Sequence, residues 1–180
     1  MSKLTTRALR SYLQAQPHEV LVEEIVALAS RVDALREYYS IQLGTGALDD
    51  LLDKHKATIK KEFFPTRGIG HARLSIARKA VTDYKKIAGS PASVIDLMLY
   101  YVEMGVGYTN SYGDISEAFY NSMESMYAQA LKLMAQTKLH DQFERRCKQV
   151  VDDTRNIGWS FHDGLSQMYS EAFEQQSEEA

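Results

Sequence analysis

A thirteen-residue segment of this chain occurs twice. Residues 119–131 align without a gap on residues 161–173, at an offset of 42 positions, with Phe119/Phe161, Met126/Met168, Tyr127/Tyr169 and Ala130/Ala172 identical. Self-similarity at this period marks stacked helix-pair repeats, in which one pair cannot bury its apolar face alone and each pair forms a layer on the next. The apolar spacing agrees, because it follows the helical period and not the alternation of a strand. Leu4, Ala8 and Tyr12 start a first stripe, and Leu21, Ile25, Leu28, Val32 and Leu35 a second. Leu48, Leu52, Ile59 and Phe63 form a third, Ile76, Ala80, Tyr84 and Ile87 a fourth. The stretch 94–104 is apolar almost all round, as in a helix with neighbours on both sides. Ile115, Phe119, Met123 and Met126 continue the series. So do Leu139, Phe143, Cys147 and Val150, and then Phe161, Leu165, Met168 and Ala172. The expectation is an all-α fold of about eight helices in four antiparallel pairs. It would form a short HEAT-like solenoid, or an irregular bundle if so few pairs fail to build a superhelix. Residues 1–175 would make one helical-repeat domain and 176–180 a frayed acidic tail.

Punctuation supports this division. Pro17, Pro65 and Pro91 stand where helices start or stop, and glycines cluster between the stripes. Apolar residues at 44% and charged residues at 25% suit a folded chain that needs neither disulfides nor metal for its core. The single cysteine, Cys147, excludes an internal disulfide and lies on an apolar stripe, as a small core residue would. The opening residues lack the apolar centre of a signal peptide, and the most apolar window, 94–102, is too short to span a membrane and contains Asp96. A cytoplasmic chain without membrane contact is expected.

The net charge of −3 conceals a polarity. Between Lys54 and Lys86 ten basic residues face only Glu62 and Asp83, whereas no Lys or Arg occurs between Lys86 and Lys132. Lys56, Lys60, Arg78, Lys79 and Lys86 form a candidate basic patch at helical spacing. Such a face could grip nucleic-acid phosphates, or it could complement acidic neighbours in the same molecule.

In stacked pairs the bends within each pair fall along one edge, and here three bends carry more chemistry than turning requires. They hold Arg67 and His71; then Tyr108, Asn110, Tyr112 and Asp114; then Trp159 with His162 and Asp163. Asn121 and Glu124 follow on one face of the helix after the second bend. A row of aromatic, amide and acidic side chains makes a recognition surface. Each also has a simpler reading: Asp114 and Glu117 have the spacing of a capping box, Trp159 could cover a helix end, and Asp163 suits a first turn. A hydrolase-like site can be assembled with His162 as base and Asp114, Glu124 or Asp163 orienting it. It is the weakest reading, because no HExxH, CxxC or phosphate-cradling glycine motif is present and five histidines are scattered. No catalytic residue, metal or cofactor is assigned. The function expected is interaction with another protein, with nucleic-acid binding through the basic pair as the alternative.

Several strings extend this reading by resemblance. Residues 60–65 (KKEFFP), 73–80 (RLSIARKA) and 96–103 (DLMLYYVE), with 119–122 (FYNS), 124–127 (ESMY), 153–159 (DTRNIGW) and 161–163 (FHD), resemble a family of small bacterial proteins known only as a domain of unknown function. The likeness runs from near Leu4 to near Phe173. It implies a single all-helical domain and carries no activity, ligand or catalytic residue with it.

Overall fold

The computed structural model describes residues 4–44, 48–88 and 90–173. Among them nine helices and no strand occur: α1 (Thr6–Gln14), α2 (His18–Arg31), α3 (Asp33–Gln42), α4 (Leu48–Phe63), α5 (Leu74–Ile87), α6 (Pro91–Tyr112), α7 (Glu117–Thr137), α8 (His140–Asp152) and α9 (Phe161–Phe173). The all-α expectation holds, with one helix more than the apolar stripes suggested. The second stripe breaks at Val32, whose backbone is extended (φ −117°, ψ 104°). Asp33 then opens α3, and Arg36 reaches back to the Ser30 carbonyl (2.9 Å) across the break. The tail expected at 176–180 lies outside the described residues. None of the helices is long and apolar enough to cross a membrane, among the described residues.

The chain divides into two compact units, Met1–Ala47 and Leu48–Ala180. In the first, Thr5 caps α1 by accepting from the Ala8 amide (3.2 Å), and α2 packs on α3. None of the three helices contains a buried residue.

The second unit is organised round α6, which packs against α4, α5, α7 and α8. Its buried side chains, among them Ile95, Leu97, Leu99, Tyr101 and Val102, cover its whole circumference, as the near-continuous apolar run requires. Burial of each such side chain stabilises by about 1.5–3 kcal/mol. The α6/α7 crossing is close: a Cβ on Gly105 would lie 2.2 Å from the Met123 Sδ. The two copies of the recurrent segment lie on α7 and α9, which pack together. Tyr84, Tyr127 and Tyr169 are all buried. The Tyr127 hydroxyl donates to the Cys147 carbonyl (3.2 Å), whereas the Tyr169 hydroxyl reaches Glu144 (3.4 Å).

Across α6 and α8 runs a charged clasp. Arg146 donates to both oxygens of Glu103 (2.5 and 2.8 Å) and to Asp96, and Lys56 pairs with Asp96 (2.6 Å). The guanidinium pKa is shifted upward by these two carboxylates against the opposing effect of burial.

Candidate functional site

Three bends of the second unit meet on one side of it. The first, between α4 and α5, is folded back onto the end of α4. The Ala72 amide donates to the Glu62 carbonyl (2.8 Å), and Arg73 makes a two-pronged contact with the buried Glu62 carboxylate (2.7 and 2.9 Å). Gly70 is pressed so closely on α4 that a Cβ there would lie 2.1 Å from the Phe63 carbonyl oxygen. Tyr108 of α6 joins this bend to the second by donating to the Gly70 carbonyl (2.7 Å). Phe64 stacks on Tyr112, which in turn packs on Tyr108.

The third bend, between α8 and α9, meets the second through Asn110, whose amide donates to the Asp153 carbonyl (2.9 Å). Tyr120 stands between them: its hydroxyl donates to Asp114 (3.0 Å), and its ring lies against Trp159 and Phe161. Burial pushes the Tyr120 phenol pKa up, and the bond to Asp114 adds to the shift. Trp159 and Ser160 are consecutive residues in the left-handed region (φ 62° and 55°). This conformation costs about 1–2 kcal/mol per non-glycine residue and leaves the indole 61% exposed.

Between the second and third bends opens a cleft of about 650 Å³, lined by Thr109, Asn110, Gly113, Asp114, Asp152, Asp153, Asn156 and Ile157. Each of its carboxylates has one oxygen engaged, Asp114 by Tyr120, Asp153 by Gln149 (2.7 Å) and Asp152 by Arg155 (2.5 Å). The second oxygens accept no hydrogen bond from the described residues, so the lining is rich in open acceptors. Both α6 and α8 end at this cleft, and neither carries a basic residue in its last turn. The partial negative charge of two helix C-termini therefore adds to three carboxylates.

The residues singled out from the sequence distribute unevenly. Asn110 and Asp114 line the cleft, while Tyr112 and Trp159 stand exposed beside it. Tyr108 is buried and ties two bends together. Arg67 and His71 are exposed on the first bend. His162 is engaged elsewhere: Thr154 gives its hydroxyl proton to the Val151 carbonyl (2.7 Å), so the His162 Nδ1 at 2.9 Å must donate to it, leaving Nε2 facing Ser166 (3.4 Å). Asp163 and Asn121 are exposed. Glu124 lies at the α7/α9 seam, its Oε1 3.0 Å from where a Cβ of Gly164 would sit, and burial pushes its carboxyl pKa up. His162 and Glu124 thus do not join Asp114 in the cleft. The capping box expected of Asp114 and Glu117 is not formed. Ser116 is the N-cap of α7, accepting from the Phe119 amide (3.3 Å), because Asp114 is turned to Tyr120 instead.

Asp152 and Asp153 were not among the sequence candidates. A signal for them existed: two acidic residues at the C-terminal end of an amphipathic helix oppose its dipole. The basic patch is engaged within the fold in part, with Lys79 and Lys86 remaining exposed. Lys56 holds Asp96, Arg78 holds the Ser122 carbonyl and hydroxyl (both 3.0 Å), and Lys79 and Lys86 share Asp83. Lys60 is exposed. Among the described residues no group of three or more His, Cys, Asp or Glu side chains could hold a metal ion.

Residues 1–174 match the model of a family of unknown function, DUF6155. The chain belongs to that family. Membership covers both compact units of the chain, in keeping with the likeness running from Leu4 to Phe173. No curated protein and no solved structure matches the chain.

Proposed function

We propose that this chain is a protein-interaction module whose acidic cleft receives lysine or arginine side chains from a basic segment of a partner protein. The observation that carries the reading is electrostatic. Two helix C-termini and three carboxylates converge on one opening, with open acceptor oxygens and no basic side chain among the lining residues, Arg155 pairing with Asp152. A cation at each helix end gains about 0.3–1 kcal/mol. The acceptors are spread along a cleft and not gathered round a point, which suits a ligand with several N–H donors. Tyr112 and Trp159 are exposed aromatic residues on the same two bends, and exposed rings attract cations. Lys56 and Arg78 are held within the fold by Asp96 and Ser122, which leaves fewer cations for a phosphate backbone.

Trp159 is the only tryptophan and provides the test. Titration with an arginine-rich decapeptide at 0.15 M salt is expected to change its fluorescence saturably, and a glutamate-rich peptide is not. Asp114→Asn combined with Asp153→Asn removes two of the three charges and is expected to weaken binding at least tenfold. A response that is unsaturable, or unchanged in the double variant, counts against the cleft.

We also read α6–α7 and α8–α9 as successive members of a helix-pair repeat, HEAT-like in plan. Its support is the packing of the two matched segments, with Tyr127 and Tyr169 buried at corresponding positions.

A further inference from the structure

All three carboxylates of the acidic cleft are held by one oxygen and offer the other. The Tyr120 hydroxyl donates to Asp114 Oδ1 (3.0 Å), Gln149 Nε2 to Asp153 Oδ1 (2.7 Å) and the Arg155 guanidinium to Asp152 Oδ1 (2.5 Å). The Tyr120 contact is the most firmly set, because its side chain is only 2% exposed. Its hydroxyl oxygen receives the Ile115 amide (3.4 Å) and lies 3.2 Å from the Thr109 hydroxyl, so its single proton goes to Asp114. The second oxygen of Asp114 faces the third bend, 3.5 Å from where a Cβ of Gly158 would sit, and the glycine leaves it uncovered.

Resting on the reading of this cleft as a receptor for basic side chains, we propose that it selects lysine over arginine. Arginine ordinarily has the advantage at carboxylates, because its planar guanidinium meets both oxygens of one carboxylate with two parallel N–H bonds. The fold makes that contact itself where both oxygens are open to it: Arg73 on Glu62 (2.7 and 2.9 Å) and Arg146 on Glu103 (2.5 and 2.8 Å). In the cleft one oxygen of every carboxylate is taken, so an arriving fork must first displace Tyr120, Gln149 or Arg155. An ammonium asks for less. It is a compact charge with three rotatable donors, and one acceptor from each neighbour satisfies it. Asp114 and Asp153 are exposed, so an ammonium beside them keeps part of its hydration. Single acceptors spread along a cleft therefore suit a partner segment that carries several lysines.

The test is calorimetric titration of the full chain with two decapeptides of equal charge and spacing, one carrying lysine and the other arginine. The lysine peptide is expected to bind roughly threefold more tightly. Gln149→Ala with Arg155→Ala, both at exposed positions, frees the engaged oxygens of Asp153 and Asp152. It should strengthen arginine binding more than lysine binding, so that the preference vanishes or reverses. Because the two peptides carry equal charge, their affinity ratio cancels the charge lost with Arg155. An arginine peptide that binds the wild-type chain as tightly as the lysine peptide overturns the preference and leaves the cleft standing as a receptor for basic side chains. A lysine preference unchanged in the double variant also overturns the proposal, since the engaged oxygens then do not set it. Saturable binding of neither peptide overturns the reading of the cleft itself, and the selectivity with it.

Discussion

Replacing Gly70 with alanine tests whether the α4–α5 bend is held by close approach and not by backbone conformation. A Cβ at this position would lie 2.1 Å from the Phe63 carbonyl oxygen and 2.5 Å from both the Phe63 carbonyl carbon and the Glu62 carbonyl oxygen. All three are backbone atoms in the last turn of α4, so no side-chain rotation relieves the overlap and the bend must move away by about 1 Å. Crowding of this kind costs about 1–3 kcal/mol. The displacement also draws the Gly70 carbonyl from the Tyr108 hydroxyl, a buried bond of 2.7 Å, and an unsatisfied buried group adds about 1–3 kcal/mol. The expected loss is about 3–5 kcal/mol. With a urea m-value of about 2 kcal/mol/M, the unfolding midpoint should fall by roughly 2 M. Gly68→Ala is the control. Gly68 has a left-handed φ of 74° but no atom within 4 Å of the added carbon, so it should cost only about 1–2 kcal/mol, or about 0.5–1 M. Tyr108→Phe isolates the hydrogen bond and should fall between the two. Equal shifts for the two glycine variants, or a larger one for Gly68→Ala, would refute the reasoning.

Two further outcomes follow from buried ionisable groups. Burial holds the Glu124 carboxyl pKa above its ordinary value of 4.5, so ionisation costs the folded state. That cost is absent below the unfolded-state pKa, grows as pH rises towards the folded value, and is complete above it. Glu124→Gln should therefore raise the melting temperature at pH 7 and leave it unchanged at pH 3; an equal shift at both values would exclude this cause. Burial pushes the Cys147 thiol up to about 12, leaving little thiolate at neutral pH. Ellman's reagent should not label it in the folded chain at pH 8 and should label it fully in 6 M guanidinium, and rapid native labelling would show that the thiol is accessible.

Periodicity carried most of the architecture because an apolar stripe reports burial directly. The run around Leu97 and Leu99, apolar on every side, became the central helix, and Pro91 stands at its first turn. The break at Val32 was hidden because Leu28, Val32 and Leu35 keep helical spacing across it, so the stripe continues although the backbone does not. Asp114 and Trp159 were legible as bend residues too polar or too aromatic for mere turning, and Asn110, read as part of the same bend, belongs instead to the last turn of α6. Their partners Asp152 and Asp153 belong to a helix end 43 residues after Asn110, and spacing in sequence carries no information about which ends meet. Asp114 could not be told from a capping residue without seeing Tyr120, since an exposed carboxylate before a helix fits both roles.

The Arg146 clasp has a consequence for any molecule that enters the cleft. Asp96 and Glu103 are seven residues apart, two turns along α6, so a single guanidinium spanning them fixes both the rotation and the lengthwise position of α8. Asp152 and Asp153 emerge less than two turns further on, where Asn110 fastens the Asp153 carbonyl as well. The wall of the opening is thereby pinned fore and aft before anything arrives. If the cleft takes the proposed basic segment, that guest meets a finished mould and forfeits chiefly its own freedom on docking.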